Sequence, residues 1–229
     1  MKTFCYTVNN SKTVKAALGR GMADIPADFP EIFAKADKVC LVTGTDAPPS
    51  LRARALTLFP ENKGHHFYFW LPPSEKAKTL EQAGELAAFL FKHGFSRNSL
   101  IIAAGGGAVT DLAGFAASIY MRGIAWISVP TTFLAQIDAG LGGKTAVNLG
   151  GAKNIAGTFH QPALSVCDTA FLDSLPHAEL RSGAGELVKY AIIGPGPLRR
   201  VVEKNLAKTL AGDKSALTAC ATTGWPTLQ

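Results

Sequence analysis

One stretch constrains this chain more than any other: Leu100-Ile-Ile-Ala-Ala-Gly-Gly-Gly-Ala-Val-Thr-Asp-Leu-Ala-Gly114. Leu100 to Ala104 form a short apolar run with β-branched residues, the pattern of a buried strand in a parallel sheet. Gly105, Gly106 and Gly107 break it, and Val109, Leu112, Ala113 and Phe115 then take up helical spacing. The unit is strand, glycine turn, helix. Glycines at such a turn let backbone approach a ligand with no Cβ in the way. A helix N-terminus offers unsatisfied N–H groups and partial positive charge to a phosphate. Asp111 falls in the first turn, where a carboxylate is favoured and can accept hydrogen bonds from a ligand. The spacing is not the GxGxxG dinucleotide fingerprint. On these residues alone a triple glycine is a weak signal, more often a plain tight turn than a phosphate site.

The same alternation recurs along the chain. Thr3–Val8, Lys38–Gly44, His65–Leu71, Ile124–Val129 and Ala163–Cys167 read as strands, and Ser50–Leu58 as a helix. A long helix is predicted from Ser74 to about His93, with Leu80, Ala83, Leu86, Ala87 and Leu90 on one face. Strands alternating with helices predict an α/β domain with a largely parallel sheet, whose ligands sit at the carboxyl ends of the strands. Gly105–Asp111 and Pro130–Thr132 both fall at such ends. From Ser174 the character changes: Pro176–Ile193, interrupted at Gly183-Ala-Gly185, and Leu198–Leu210 read as helices, and Ala211–Gln229 has little amphipathic order. Leu180, Leu187, Val188, Ile192, Leu198, Val201 and Leu206 on these helices are expected to need a partner surface. The boundaries follow as 1–173 and 174–229.

Composition excludes several classes. Hydrophobic residues make up 47% of the 229 and charged residues 17%, so the chain is globular. The net charge of +6 is not concentrated in runs interleaved with aromatics, which argues against nucleic acid and suits a small anionic substrate. No apolar run reaches the ~20 residues of a membrane helix, and the first ten residues lack a signal-peptide core. Cys5, Cys40, Cys167 and Cys220 form no CxxC pair, and the first three sit in strand-like stretches where buried free thiols are expected. A cytoplasmic protein with no membrane partner is the expectation. His65 and His66 point to opposite faces of a strand and make poor joint metal ligands.

Beyond the glycine turn, charge and glycine alternate in an unusual way. Gln136-Ile-Asp138-Ala-Gly-Leu-Gly-Gly-Lys144-Thr-Ala-Val-Asn148 is followed by Lys153-Asn154 and later by Glu186-Leu-Val-Lys189-Tyr190. Glu186 and Lys189 project from one helix face. Arg122, Lys144, Lys153 and Lys189 are each either ordinary surface charge or part of a ring around a polyanion. Taken with Gly105–Asp111, Gly114-Phe115, Tyr120-Met-Arg122-Gly123, Val129-Pro-Thr131-Thr132 and Gln161-Pro162, these elements resemble 3-dehydroquinate synthase in order and spacing, from about residue 74 to 193. Glycine-turn and Pro-Thr-Thr elements also occur in iron- or zinc-dependent alcohol and glycerol dehydrogenases. The Gly-Gly-Lys-Thr, Lys-Asn and Glu-x-x-Lys elements are far more specific to the sugar-phosphate cyclases.

The resemblance implies a Rossmann-like NAD-binding domain followed by an all-helical metal-binding domain, in a cytoplasmic homodimer of the shikimate pathway. It implies a phosphorus–oxygen lyase that converts 3-deoxy-arabino-heptulosonate 7-phosphate to 3-dehydroquinate and phosphate, with NAD and zinc or cobalt as cofactors. By position, Glu75 and Lys78 would approach the adenosine end of NAD, and Gly106, Gly107, Ala108, Val109, Thr110 and Asp111 its pyrophosphate and ribose. Thr131, Thr132, Lys144, Lys153, Phe171, Leu172, Asp173 and Ser174 would also line the cofactor. Arg122, Asp138, Lys144, Asn154 and Lys189 would face substrate as the catalytic set, and Glu186 would ligate the metal.

The chain departs from that pattern in places. Thr110 stands where the family usually has glycine, and Ala139 and Gly140 where serines are common. The family's two later metal-ligand histidines have no counterpart after Glu186, since the five histidines are His65, His66, His93, His160 and His177. The expectation is a truncated member whose helical domain is only begun, with an incomplete metal site and impaired catalysis. A sibling cyclase of the inosose or valiolone type, and an NAD-binding fragment without catalysis, are the alternative readings.

Overall fold

The computed structural model describes residues 1–8, 12–22, 24–59, 66–73, 75–140, 142–194 and 196–224. In chain order the elements are β1 (Lys2–Val8), β2 (Lys12–Gly19), α1 (Ile25–Asp28), α2 (Pro30–Phe33), β3 (Val39–Gly44), α3 (Pro49–Leu56), β4 (His66–Leu71), α4 (Leu80–Lys92) and β5 (Leu100–Gly105). They continue with α5 (Gly107–Ile119), β6 (Ala125–Pro130), β7 (Lys144–Leu149), β8 (Ala152–Phe159), β9 (Leu164–Asp168), α6 (His177–Ile193), α7 (Gly196–Leu210) and α8 (Lys214–Gly224). No described helix is long and apolar enough to cross a membrane.

Seven strands form one sheet in the order β1-β2-β9-β6-β5-β3-β4, parallel except for the β1–β2 pair. Every residue of β3, β5 and β9 is buried, which is why these strands read as unbroken apolar runs. Side chains that alternate along each strand feed two faces. Leu41, Leu100, Ile102, Ile127 and Val166 pack under α1–α3. Val42, Ile101 and Ala103 pack under α4 and α5 with Leu86, Leu90, Leu112 and Ala116. The chain runs from β3 outward to β4 and then crosses back to β5 on the other side of β3. The sheet order reverses there, and the crevice at the carboxyl ends of β3 and β5 is the place where such sheets take ligands. The fold is therefore α/β, Rossmann-like and mostly parallel.

Several expectations from the sequence need correction. The helix predicted from Ser74 begins instead as a 3-10 turn, Glu75–Ala77, and α4 starts at Leu80, where the Thr79 hydroxyl caps the Gln82 N–H at 3.2 Å. Ser74 and His65 lie outside the described residues. The Gly183-Ala-Gly185 interruption is absent: α6 is continuous, because a Cβ on Gly183 would lie 2.7 Å from the Phe133 ring, so glycine here serves close packing. The helical residues expected to lack a partner mostly have one. Leu180, Leu187 and Leu198 are buried against Phe133, Ile137, Cys167 and Leu18, with Val188, Val201 and Leu206 packed beside them; Ile192 stays exposed. Part of that cover is α8, in the stretch read as having little amphipathic order, which buries Ala216, Leu217, Cys220 and Ala221. Cys5 is exposed, against expectation, while Cys40 and Cys167 are buried and the Cys40 thiol is pushed up to about 12 by burial.

The glycine-rich segment after Leu141 folds into an antiparallel hairpin of β7 and β8, separate from the main sheet. Its two-residue turn is Gly150-Gly151, with φ of +60° and +82°, the mirror-image turn that matches strand twist and favours glycine at both positions. β7 lies on α5, and Val147 joins the core under that helix.

Candidate functional site

The glycine turn sits at the sheet's reversal point. Gly106 precedes α5 in an extended conformation, no side chain caps the helix, and Gly105 O accepts from Thr131 N at 2.9 Å. The loops after β5 and β6 are thereby tied together. A Cβ on Gly105 would lie 2.5 Å from Val109 Cβ, and one on Gly106 would lie 3.1 Å from Thr132 Cγ2. Glycine is thus required at the turn by close packing against Val109 and Thr132, and the turn leads into the positive end of a 13-residue helix. Thr110 does not crowd it. Its side chain is buried and its hydroxyl bonds back to Gly107 O at 3.2 Å, within its own helix.

Asp111, one turn into α5, meets Lys78 from the loop before α4. The Lys78 ammonium donates to Asp111 Oδ2 and to Asn154 Oδ1, both at 2.5 Å, and its side chain is only 4% exposed. Burial pushes the Asp111 carboxyl up; Lys78 opposes this, and the charges of Glu75 and Asp138 add to it. Asn154 reaches Lys78 from β8 with a φ of +58°, a left-handed conformation that asparagine tolerates better than most residues. Glu75 accepts a hydrogen bond from Asn148 Nδ2 at 3.1 Å.

A second group lies within electrostatic reach, since the Asp138 charge is felt at Asp111. Asp138 is carried on a π-helical turn, Ala135–Ala139, and accepts a hydrogen bond from the Tyr190 hydroxyl at 2.8 Å. Burial raises the Tyr190 phenol well above its ordinary range, and the Asp138 and Glu186 carboxylates raise it further. Glu186 pairs with Lys189 one turn along α6. These partners come from residues 52 apart, and nothing in the local sequence pattern points to the Tyr190–Asp138 bond.

The remaining assigned residues divide. Lys144 opens β7 and Lys153 precedes Asn154 on β8, both exposed. Thr131 is buried, and the Thr132 hydroxyl accepts from Ala135 N at 3.3 Å. Phe171, Asp173 and Ser174 line a cavity of about 130 Å³ with Ser50, Leu51 and Arg54, while Leu172 is buried in the core beneath α6–α8. Asp173 is held below the usual carboxylate range chiefly by its bond from Arg20, at 2.7 Å. Arg122 is not brought to this cluster. It follows the far end of α5, about 20 Å from the glycine turn at 1.5 Å per residue. Among the described residues no three of His, Cys, Asp or Glu come together as metal ligands.

Comparison with known proteins bears on the family and the fold. The family model for the 3-dehydroquinate synthase N-terminal domain matches residues 68–182. The chain is 43% identical to the 3-dehydroquinate synthase of Desulforamulus reducens over 187 residues, 81% of this chain and 52% of that one. It is 48% identical to that of Alkaliphilus metalliredigens over 148 residues, 65% and 42% of the two. The chain thus spans about half the length of these relatives. A 2-deoxy-scyllo-inosose synthase complexed with carbaglucose-6-phosphate, NAD+ and Co2+ superimposes with a TM-score of 0.78 at 26% identity, over 96% of this chain and 63% of that one. The matched region runs from β4 through the glycine turn and the hairpin to the opening of α6, and on it the chain belongs to the 3-dehydroquinate synthase family.

Proposed function

We propose that this chain carries the NAD-binding part of a 3-dehydroquinate synthase, acting on 3-deoxy-arabino-heptulosonate 7-phosphate. One observation supports it above the others: Lys78, Asp111 and Asn154, assigned separately to cofactor and substrate, meet at the glycine turn. The helix N-terminus after Gly106, which no side chain caps, suits a pyrophosphate. When bound, NAD supplies reversible hydride transfer with a carbinol of the substrate. The chain's own residues then have distinct tasks. The helix N-terminus after Gly106 holds pyrophosphate oxygens, and Asp111 accepts hydrogen bonds from ribose hydroxyls. Glu75 and Lys78 meet the adenosine end, Thr131 and Thr132 shape the loop beside it, and Phe171, Asp173 and Ser174 line a cavity with Ser50, Leu51 and Arg54. Lys144, Lys153 and Lys189 offer ammonium groups to phosphate and carboxylate oxygens, and Asn154 orients a substrate hydroxyl. Asp138, fixed by Tyr190, presents a carboxylate to the same space.

A divalent metal belongs to the family reading, and Glu186 is the ligand this chain offers. One carboxylate already paired with Lys189 does not make a zinc site, which needs three or four ligands. The engagement of Glu186 by Lys189 favours a second reading, an NAD-binding unit that does not turn over by itself. The relatives at 43–48% identity favour 3-dehydroquinate synthase over the sibling cyclases. We place the boundary between cofactor and helical parts at residues 173 and 174. In the expected homodimer, Arg122 would serve a site other than that of its own chain.

Titration calorimetry with NAD on the chain and on Asp111→Ala tests the assignment. Loss of a charged hydrogen bond to ribose should weaken binding about tenfold or more. Parent and variant with identical affinity, or a folded parent that does not respond to millimolar NAD, would overturn it. Phosphate release from the heptulosonate substrate separates the two readings.

A further inference from the structure

We infer that Asn148, to which no role is otherwise given, is a positioning residue that locks the cofactor-side residues to the substrate-side residue Asn154. Asn148 sits at the register break of the hairpin, between Val147 and Leu149, where the ladder to β8 is interrupted. Its backbone N–H is turned away from β8 and donates to Lys78 O at 2.8 Å. Its side chain uses both ends of the amide. Nδ2 donates to Glu75 Oε1 at 3.1 Å, and Oδ1 accepts from the Asn154 N–H at 3.0 Å. One half-buried residue therefore holds Glu75, the backbone of Lys78 and the backbone of Asn154.

The consequence falls on Asn154. Its φ of +58° is what turns its own side chain to Lys78, and the bond from its N–H to Asn148 is made in that conformation. Neither a carboxylate nor an apolar side chain can replace the amide at 148. Aspartate keeps the acceptor for Asn154 but sets a second negative charge against Glu75, and alanine keeps neither bond. The inference deepens the proposed function and rests on it for the identity of the two ligands.

The test uses the intact chain with Asn148→Ala and Asn148→Asp, read by residue-resolved amide exchange without ligand and by NAD calorimetry. Asn148→Ala should speed exchange at the Asn154 amide at least tenfold while amides elsewhere in β7 and β8 keep their protection. Asn148→Asp should restore Asn154 protection yet still weaken NAD about tenfold, through Glu75. Parent-like exchange at Asn154 in Asn148→Ala overturns the inference. So does a uniform rise across residues 144–159, which marks a residue that only stabilises the hairpin. A parent that does not bind NAD overturns the functional reading instead, and the exchange result still decides the role of Asn148.

Discussion

Replacing Lys78 by methionine removes the one cation buried against Asp111 while keeping the volume of the side chain. The Lys78 side chain is 4% exposed and that of Asp111 17%, so the pair is largely shielded from water. Breaking a buried pair from one side costs about 3–5 kcal/mol, because a charge is left without compensation. The residual exposure of Asp111 lets water soften this, which sets the expectation at the lower end, about 3 kcal/mol. For a chain of this size that corresponds to a fall in Tm of about 6–12 °C. The pH dependence has a definite sign. Burial holds the folded-state carboxyl above its ordinary value, so the folded protein keeps the Asp111 proton more readily than the unfolded chain. Ionisation of Asp111 therefore costs stability as pH rises from the usual aspartate range near ~3.9 through the raised value, and acidification returns it. Without Lys78 the carboxyl rises further, and the deficit of the variant should shrink between pH 7 and pH 5. Thermal melts across that range provide the measurement. A variant that melts within about 2 °C of the parent at pH 7 would refute the reasoning, since so small a shift corresponds to less than about 1 kcal/mol. So would a deficit that is the same at both pH values. Lys78→Met combined with Asp111→Leu should recover most of the loss.

Three further outcomes are expected. Asp168→Asn should cost about 2–3 kcal/mol by urea midpoint, because the buried carboxylate accepts from the N–H groups of Gly21, Met22 and Ala170 and from Arg54. Gly140→Ser, which restores the residue common in the family, should destabilise by about 1–3 kcal/mol rather than add a polar contact, since a Cβ there would lie 2.7 Å from Ala135 O and Pro130 Cγ. Arg122→Ala should leave the calorimetric NAD affinity unchanged, because Arg122 stands at the opposite end of α5 from the glycine turn.

Sequence patterns made the buried parallel strands visible and left the small-residue elements hidden. β3, β5 and β9 are apolar without a break because both faces of the sheet are covered, and the glycine turn stands out because α5 begins at once. β2, Lys-Thr-Val-Lys-Ala-Ala-Leu-Gly, was not legible: its buried Ala16 and Ala17 carry no strand preference. α8 was hidden for the same reason, since its buried face is mostly alanine and cysteine. The β7–β8 hairpin did carry a signal, two glycines between short alternating runs, but the segment was read for its glycines and charges and no strand was assigned to it. In the candidate site, the separate residues were legible through the family resemblance. Their mutual contacts were not, because Lys78, Asp111 and Asn154 come from the loop before α4, from α5 and from the hairpin, which meet only in the fold. Asn148 and Tyr190 make bonds across long sequence separations, which no local periodicity encodes.

The pairing of β2 with β9 sets a timetable for the chain. β2 is made well before the strand it lies against: Lys15 stands opposite Leu164, which is synthesised about 150 residues later. At ~5–20 residues per second the ribosome needs about 7–30 s to deliver it. During that interval β1 and β2 can pair with each other, but the other edge of β2 has no strand to close it. An open edge of that kind invites pairing with another nascent chain, and charge is what discourages it. Lys12 and Lys15 stand on β2 itself. Closure of the seven-stranded sheet thus waits for β9 to emerge, and the glycine turn is synthesised before the sheet around it can be complete.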